Sequence, residues 1–144
     1  MKIAVGSDHA GFAVKGDVCA LCEKLGHEVK DLGPDSADRV DYPDFASKVA
    51  KLVQSGEAEA GILVCGSGIG MSMAANRFDG VRAVVAVMEL QAEMARRHND
   101  ANVLCVGARF SGAASIEAIV TRFLASPFDG GRHAGRVAKI DQQK

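Results

Sequence analysis

Cys65 is the side chain in this sequence best placed to act as a base. It closes an aliphatic run, residues 60–65 (AGILVC), and opens a glycine-rich turn, residues 65–70 (CGSGIG). A buried strand that delivers a thiol into such a turn, with a helix starting behind it, brings Gly66, Ser67, Gly68 and Gly70 around one point. Several backbone N–H groups then converge there, and such a nest attracts anions. The run is not a dinucleotide fingerprint, because Met71 stands where the third glycine is required, and it lacks the Lys-Ser/Thr pair of a phosphate-binding Walker loop. A tight turn around an inert core cysteine fits the local pattern equally well.

Three more constellations carry chemistry. Residues 7–11 (SDHAG) follow the first aliphatic run, so Asp8 and His9 fall on the same rim as Cys65. Asp8 also suits a helix N-cap, whereas His9 in a wet strand-end loop is free to bind. Residues 98–102 (HNDAN) place His98 and Asn99 between a helix and a strand, where capping is the plainer reading. Five polar-rich residues are more than a cap needs, which favours function for His98. Residues 130–136 (GGRHAGR) set Arg132 and Arg136 four apart, on one helical face, with Arg109 as a further cation. Guanidinium forks match phosphate oxygens; the plain alternative is a solvated basic tail.

The elements that must position these groups alternate regularly. Strands are expected at residues 2–6, 27–32, 60–65, 81–87 and 103–107. Helices are expected at 12–25, from Pro43 to Gly56, from the 66–70 turn to about Arg77, at 90–98 and at 112–126. Residues 27–32 are less apolar and read as an edge strand; residues 60–65 read as a strand covered on both faces. Residues 33–42 read as a loop. A last segment, 132–140, is expected to be helical and to project beyond the domain. The alternation predicts a three-layer α/β/α domain spanning residues 1–144, with a C-terminal arm from 131 and ligands at the carboxyl ends of the strands.

Composition narrows the partners. The 144 residues carry a formal net charge of −1, with 48% hydrophobic and 5% aromatic residues. That predicts an aliphatic core and no nucleic-acid partner. No apolar run reaches the ~20 residues of a membrane helix, and the N-terminus MKIAVGSDH has no secretory pattern, so no membrane and a cytoplasmic location are expected. Four cysteines, at 19, 22, 65 and 105, are expected to be free thiols. Cys19 and Cys22 have C-x-x-C spacing inside a helix; core-facing thiols is the better reading, over redox or metal duty. No group has metal-ligand spacing, so neither metal nor cofactor is expected.

In order and spacing, residues 7–12 (SDHAGF), 41–46 (DYPDFA), 65–77 (CGSGIGMSMAANR), 96–104 (RRHNDANVL), 107–109 (GAR) and 130–136 (GGRHAGR) closely resemble the ribose-5-phosphate isomerase B and galactose-6-phosphate isomerase family. Cys65 together with Met71 is similar to its cysteine branch. The resemblance implies a flavodoxin-like fold with a five-stranded parallel sheet. It also implies a homodimer, or a dimer of dimers, whose sites are built from two chains, and a small sugar phosphate as substrate. By the same resemblance Cys65 is the base between C1 and C2, Ser67 and the amides of 66–70 hold the enediolate, and His98 opens the furanose ring. Asp8 and Tyr42 handle ring and hydroxyl groups, Asn99 binds sugar hydroxyls, and His9, Arg132, Arg136 and Arg109 hold phosphate. The expected reaction interconverts ribose 5-phosphate and ribulose 5-phosphate; a tetrose or hexose phosphate is the alternative, and a non-catalytic sugar-phosphate sensor a more distant one.

Overall fold

Continuous apolar runs form central strands because both faces of the sheet are covered. In the computed structural model, which describes residues 1–143, β1 (Lys2–Ser7), β3 (Ala60–Cys65) and β5 (Val103–Gly107) are buried almost throughout. The short, wetter strands β2 (Glu28–Asp31) and β4 (Ala83–Val85) form the edges, giving an all-parallel sheet of order β2-β1-β3-β5-β4. The last two strands are exchanged relative to flavodoxin's 2-1-3-4-5.

β4 is shorter than the expected 81–87. Side chains take the place of a ladder at its start: Arg82 N–H donates to Asn102 Oδ1 at 2.8 Å, and Asn76 bonds both the N–H and the carbonyl of Ala83 at 2.7 and 2.9 Å.

Helices α1 (Phe12–Lys24), α4 (Glu89–Asn99) and α5 (Ala113–Ala125) cover one face, over a core that includes Val18, Ile62, Leu104, Ile119 and Phe123. Helices α2 (Tyr42–Ser55) and α3 (Ile69–Ala75) cover the other, over Val49, Leu63, Met71 and Cys105. Pro43 sits in the first turn of α2, where its missing N–H costs nothing. The C-x-x-C pair lies on α1 as free thiols. Burial pushes Cys19 up to about 11 and Cys22 up to about 12, so both are protonated and unreactive at neutral pH.

The end of the chain differs from expectation. Residues Gly131–His133 form a 3₁₀ turn and α6 spans Ala134–Asp141, but the segment does not project freely. Val137 is buried, and Asp141 accepts from Arg82 Nη1 at 3.1 Å, so the arm lies along its own chain. An apolar position at 137 and an acid at 141, four apart, put one anchored face on this helix.

Sheet polarity decides what each loop can reach. The order reverses between β1 and β3, so their adjacent carboxyl ends, with Ser7 level with Val64, flank the expected ligand crevice. Helix α4 runs back against the strands and carries His98 to the amino end. There Gly61 N–H donates to the Asn102 carbonyl at 2.8 Å.

Candidate active site

At the carboxyl end, Asp8, His9, Tyr42, Cys65, Ser67 and Arg109 line a cleft of about 390 Å³, together with Gly66 and Gly70. Backbone constraints build it. Gly68 stands at φ 78°, a left-handed conformation that turns its N–H onto Cys65 Sγ at 3.0 Å. That bond holds the sulfur with a lone pair engaged by an amide dipole. Ser67 Oγ accepts from Ile69 N–H at 3.2 Å, which leaves the hydroxyl proton to donate elsewhere. Behind the turn, a Cβ on Gly107 would lie 2.8 Å from the Ser67 carbonyl, so only glycine lets β5 pass this close.

The flanking groups are also held. Asp8 is buried, and its Oδ1 accepts from Gly11 N–H at 3.0 Å; Gly11, not Asp8, occupies the N-cap of α1. The carboxylate thus braces the turn, and among the described residues its second oxygen has no hydrogen-bond partner. His9 Nδ1 lies 3.3 Å from both the N–H and the carbonyl of Val40; with the N–H as donor the imidazole proton falls on Nε2, and with the carbonyl as acceptor it falls on Nδ1. Tyr42, half-exposed, packs its ring over Gly70, and the Arg109 guanidinium lies over Gly66. Arg39 also lines the cleft and was not anticipated; it sits in a polar loop without periodicity, and only its nearness to Tyr42 could have flagged it.

The remaining candidates gather at the amino end. His98 and His133 stack with ring centroids 4.3 Å apart and planes 10° from parallel. Asp129 accepts from Arg97 Nε at 3.1 Å, and that hydrogen bond holds its carboxyl below the usual range, with His98 and His133 adding to the effect. Desolvation first, then the charges of His98, Arg132 and Arg136, keep His133 below the ordinary imidazole range. Arg132 and Arg136 are exposed on one side of this cluster, and among the described residues neither is in an ion pair. Asn99 is exposed at the end of α4. His133 lies inside the 130–136 run, between the two arginines, where the sequence pattern gives it no role of its own.

Within one chain, therefore, the candidates form two groups rather than one. With a strand rise of ~3.3 Å per residue, the two ends of β3 stand roughly 16 Å apart. A hollow of about 720 Å³ between α4 and α5 borders the amino-end group through Arg97 and Asp129, but none of the expected site residues lines it. The geometry at Cys65 matters more than size here, because a base and converging amides are what carbon-acid chemistry requires.

Comparison with known proteins finds close relatives over nearly the whole chain. A family profile described as Ribose/Galactose Isomerase matches residues 3–140. Ribose-5-phosphate isomerase B of Escherichia coli is 47% identical over 139 residues, covering 96% of this chain and 93% of that protein. The solved structure of ribose-5-phosphate isomerase B from Clostridium thermocellum superposes with a TM-score of 0.97 at 47% identity, covering 99% of this chain and 96% of that one. A Mycoplasma genitalium ribose-5-phosphate isomerase B, solved with bound ribulose-5-phosphate, gives a TM-score of 0.95 at 42% identity, with 98% and 94% covered.

Proposed function

The chain belongs to the ribose/galactose isomerase family, and from that premise we propose that two copies of it join a carboxyl-end cleft to an amino-end cluster and interconvert ribose 5-phosphate and ribulose 5-phosphate. The observation that carries the shared site is the separation of Cys65 from His98 at opposite ends of one sheet, farther than a pentose phosphate extends. A second copy related by a two-fold axis supplies the missing half to each cleft.

The proton bookkeeping follows from the placement. With the ring open, Cys65 Sγ takes the C2 proton of the aldose and returns it to C1, while the O2 proton passes to O1. The aldehyde carbon becomes a hydroxymethyl group and C2 becomes the carbonyl. Between the two steps an enediolate carries the charge, and the amides of residues 66–70 with the Ser67 hydroxyl hold it. These donors are fixed by the backbone before substrate arrives, so little reorganisation opposes the step.

His98 of the second copy opens the furanose by moving a proton between the ring oxygen and the anomeric hydroxyl. Asp8 and Tyr42 orient ring and hydroxyl groups, and Asn99 of the second copy binds hydroxyls. His9 joins Arg109 and the second copy's Arg132 and Arg136 on the phosphate. Cations from two chains meeting on one dianion suit charge-assisted, bidentate binding.

Because the family profile couples ribose with galactose, a hexose phosphate is the second reading. Initial rates on four-, five- and six-carbon aldose phosphates separate the two. The highest kcat/KM is expected for ribose 5-phosphate; a higher value for a hexose or tetrose phosphate overturns the substrate, and no isomerisation of any of them overturns the enzyme.

A further inference from the structure

We propose that His98, Asp129 and His133 form a binding site for a divalent transition metal of the zinc class at the amino-end rim. One imidazole nitrogen from each histidine and one carboxylate oxygen lie within 4.8 Å of one another. Two imidazoles and a carboxylate are a zinc donor set, and three protein ligands leave a fourth position open for water. Tetrahedral zinc with bonds of ~2.0–2.1 Å needs donors about 3.3 Å apart. The two rings must therefore pivot out of their parallel stack to close around an ion.

The chain is built so that they can. Asp129 is fixed at both ends: its backbone N–H donates to the Arg97 carbonyl at 3.0 Å, and its Oδ1 accepts from Arg97 Nε. Among the described residues its other oxygen is in no hydrogen bond or ion pair. Gly130 and Gly131 follow at φ 63° and 54°, and this pair of positive-φ residues folds His133 back onto His98. His133 closes a three-residue 3₁₀ turn and is the N-cap of α6, so its ring lies at the end of the helix rather than within it. Arg132 and Arg136 nearby oppose a cation, so the site binds less tightly than a closed structural zinc centre. Metal binding rests on this geometry alone. Its consequence for turnover rests on the ring-opening role proposed for His98, whose lone pair the ion would occupy, so the metal-free protein is the active form.

Cobalt(II), a spectroscopic stand-in for zinc, tests the site. Titration of the EDTA-treated protein is expected to give one ion per chain and visible d–d bands without thiolate charge-transfer absorption in the near ultraviolet. Both His133→Ala and Asp129→Asn are expected to weaken binding at least tenfold, the second guarding against a folding defect in the first. Thiolate charge transfer, no binding at millimolar cobalt, or affinity unchanged in both variants overturns the proposal. Zinc is expected to slow wild-type turnover, reversibly by EDTA, and to slow His133→Ala less. An ion that fills the site without slowing turnover upholds the site and overturns the role of His98 instead.

Discussion

The two rims of the sheet hold their functional groups by different means. At the carboxyl end, Cys65, Ser67 and Asp8 are fixed by backbone N–H donors and by close glycine contacts. At the amino end, side chains hold side chains: Arg97 to Asp129 and Glu93, Arg82 to Asp100 and Asp141, and one imidazole against another. The first arrangement is rigid and dry enough to stabilise a developing charge. The second is partly exposed and adjustable, which suits gripping a phosphate and handling a ring that must open. On the proposed roles, the chemistry divides as the stiffness does.

The largest expected effect lies on the rigid side. Cys65→Ala removes the proposed base and should lower kcat by ~10²–10⁴-fold, because general-base loss costs that much. Binding of the sugar phosphate, followed calorimetrically, should survive, since the anion-holding groups are untouched. A variant that keeps more than about a tenth of wild-type kcat would assign the base to another residue.

Much of this rigid side was legible in the sequence. An apolar run ending in Cys65 and a glycine-rich turn are local features, and strand-helix alternation fixes which rim they share with Asp8 and His9. The division between rims was encoded too, since His98 precedes a strand whereas Cys65 ends one; in a parallel sheet those positions are opposite. Local pattern could not show the stack of His133 on His98, which depends on two positive-φ glycines and a chain reversal. Nor could it place Arg39, which no periodicity ties to the cleft, or show that the arm is anchored by Val137 and Asp141.

Joining the rims of two copies gives the next test. Cys65→Ala and Arg136→Ala are mixed under conditions that exchange subunits and assayed with substrate well below the raised KM of Arg136→Ala, where each variant alone turns over little. Half the dimers become hybrids, and each hybrid holds one site with both residues intact, so about a quarter of wild-type activity should return. A mixture that stays inactive after demonstrated exchange would place the arm in its own chain's site.

Arg136→Ala by itself probes the adjustable side. A lost charge-assisted hydrogen bond costs ~1.5–3 kcal/mol, roughly ten- to a hundred-fold in binding. KM for the phosphorylated sugar should rise by that factor with kcat less affected, and the advantage over the unphosphorylated sugar should narrow. An equal fall in kcat with KM unchanged would move Arg136 from gripping substrate to stabilising the transition state.

The smallest effect comes from the tether of the arm. Asp141 accepts from Arg82 Nη1 at 3.1 Å, with its side chain 39% exposed, so solvent screens the pair and it contributes only ~0–1 kcal/mol. Arg82 keeps Asp100 as a partner at 3.0 Å when Asp141 is neutralised, which leaves no unpaired buried charge behind. Asp141→Asn should therefore lower Tm by no more than about 4 °C, and added salt should shrink the difference between variant and wild type. The arm, however, positions Arg132 and Arg136, so a looser tether spreads their orientations without removing their charge. KM should rise about two- to fivefold, well short of the Arg136→Ala change, with kcat within about twofold of wild type. A KM as high as that of Arg136→Ala would mean that the ion pair, rather than Val137 packing, sets where the arm lies, and the amino-end rim would be far less adjustable than its exposure implies.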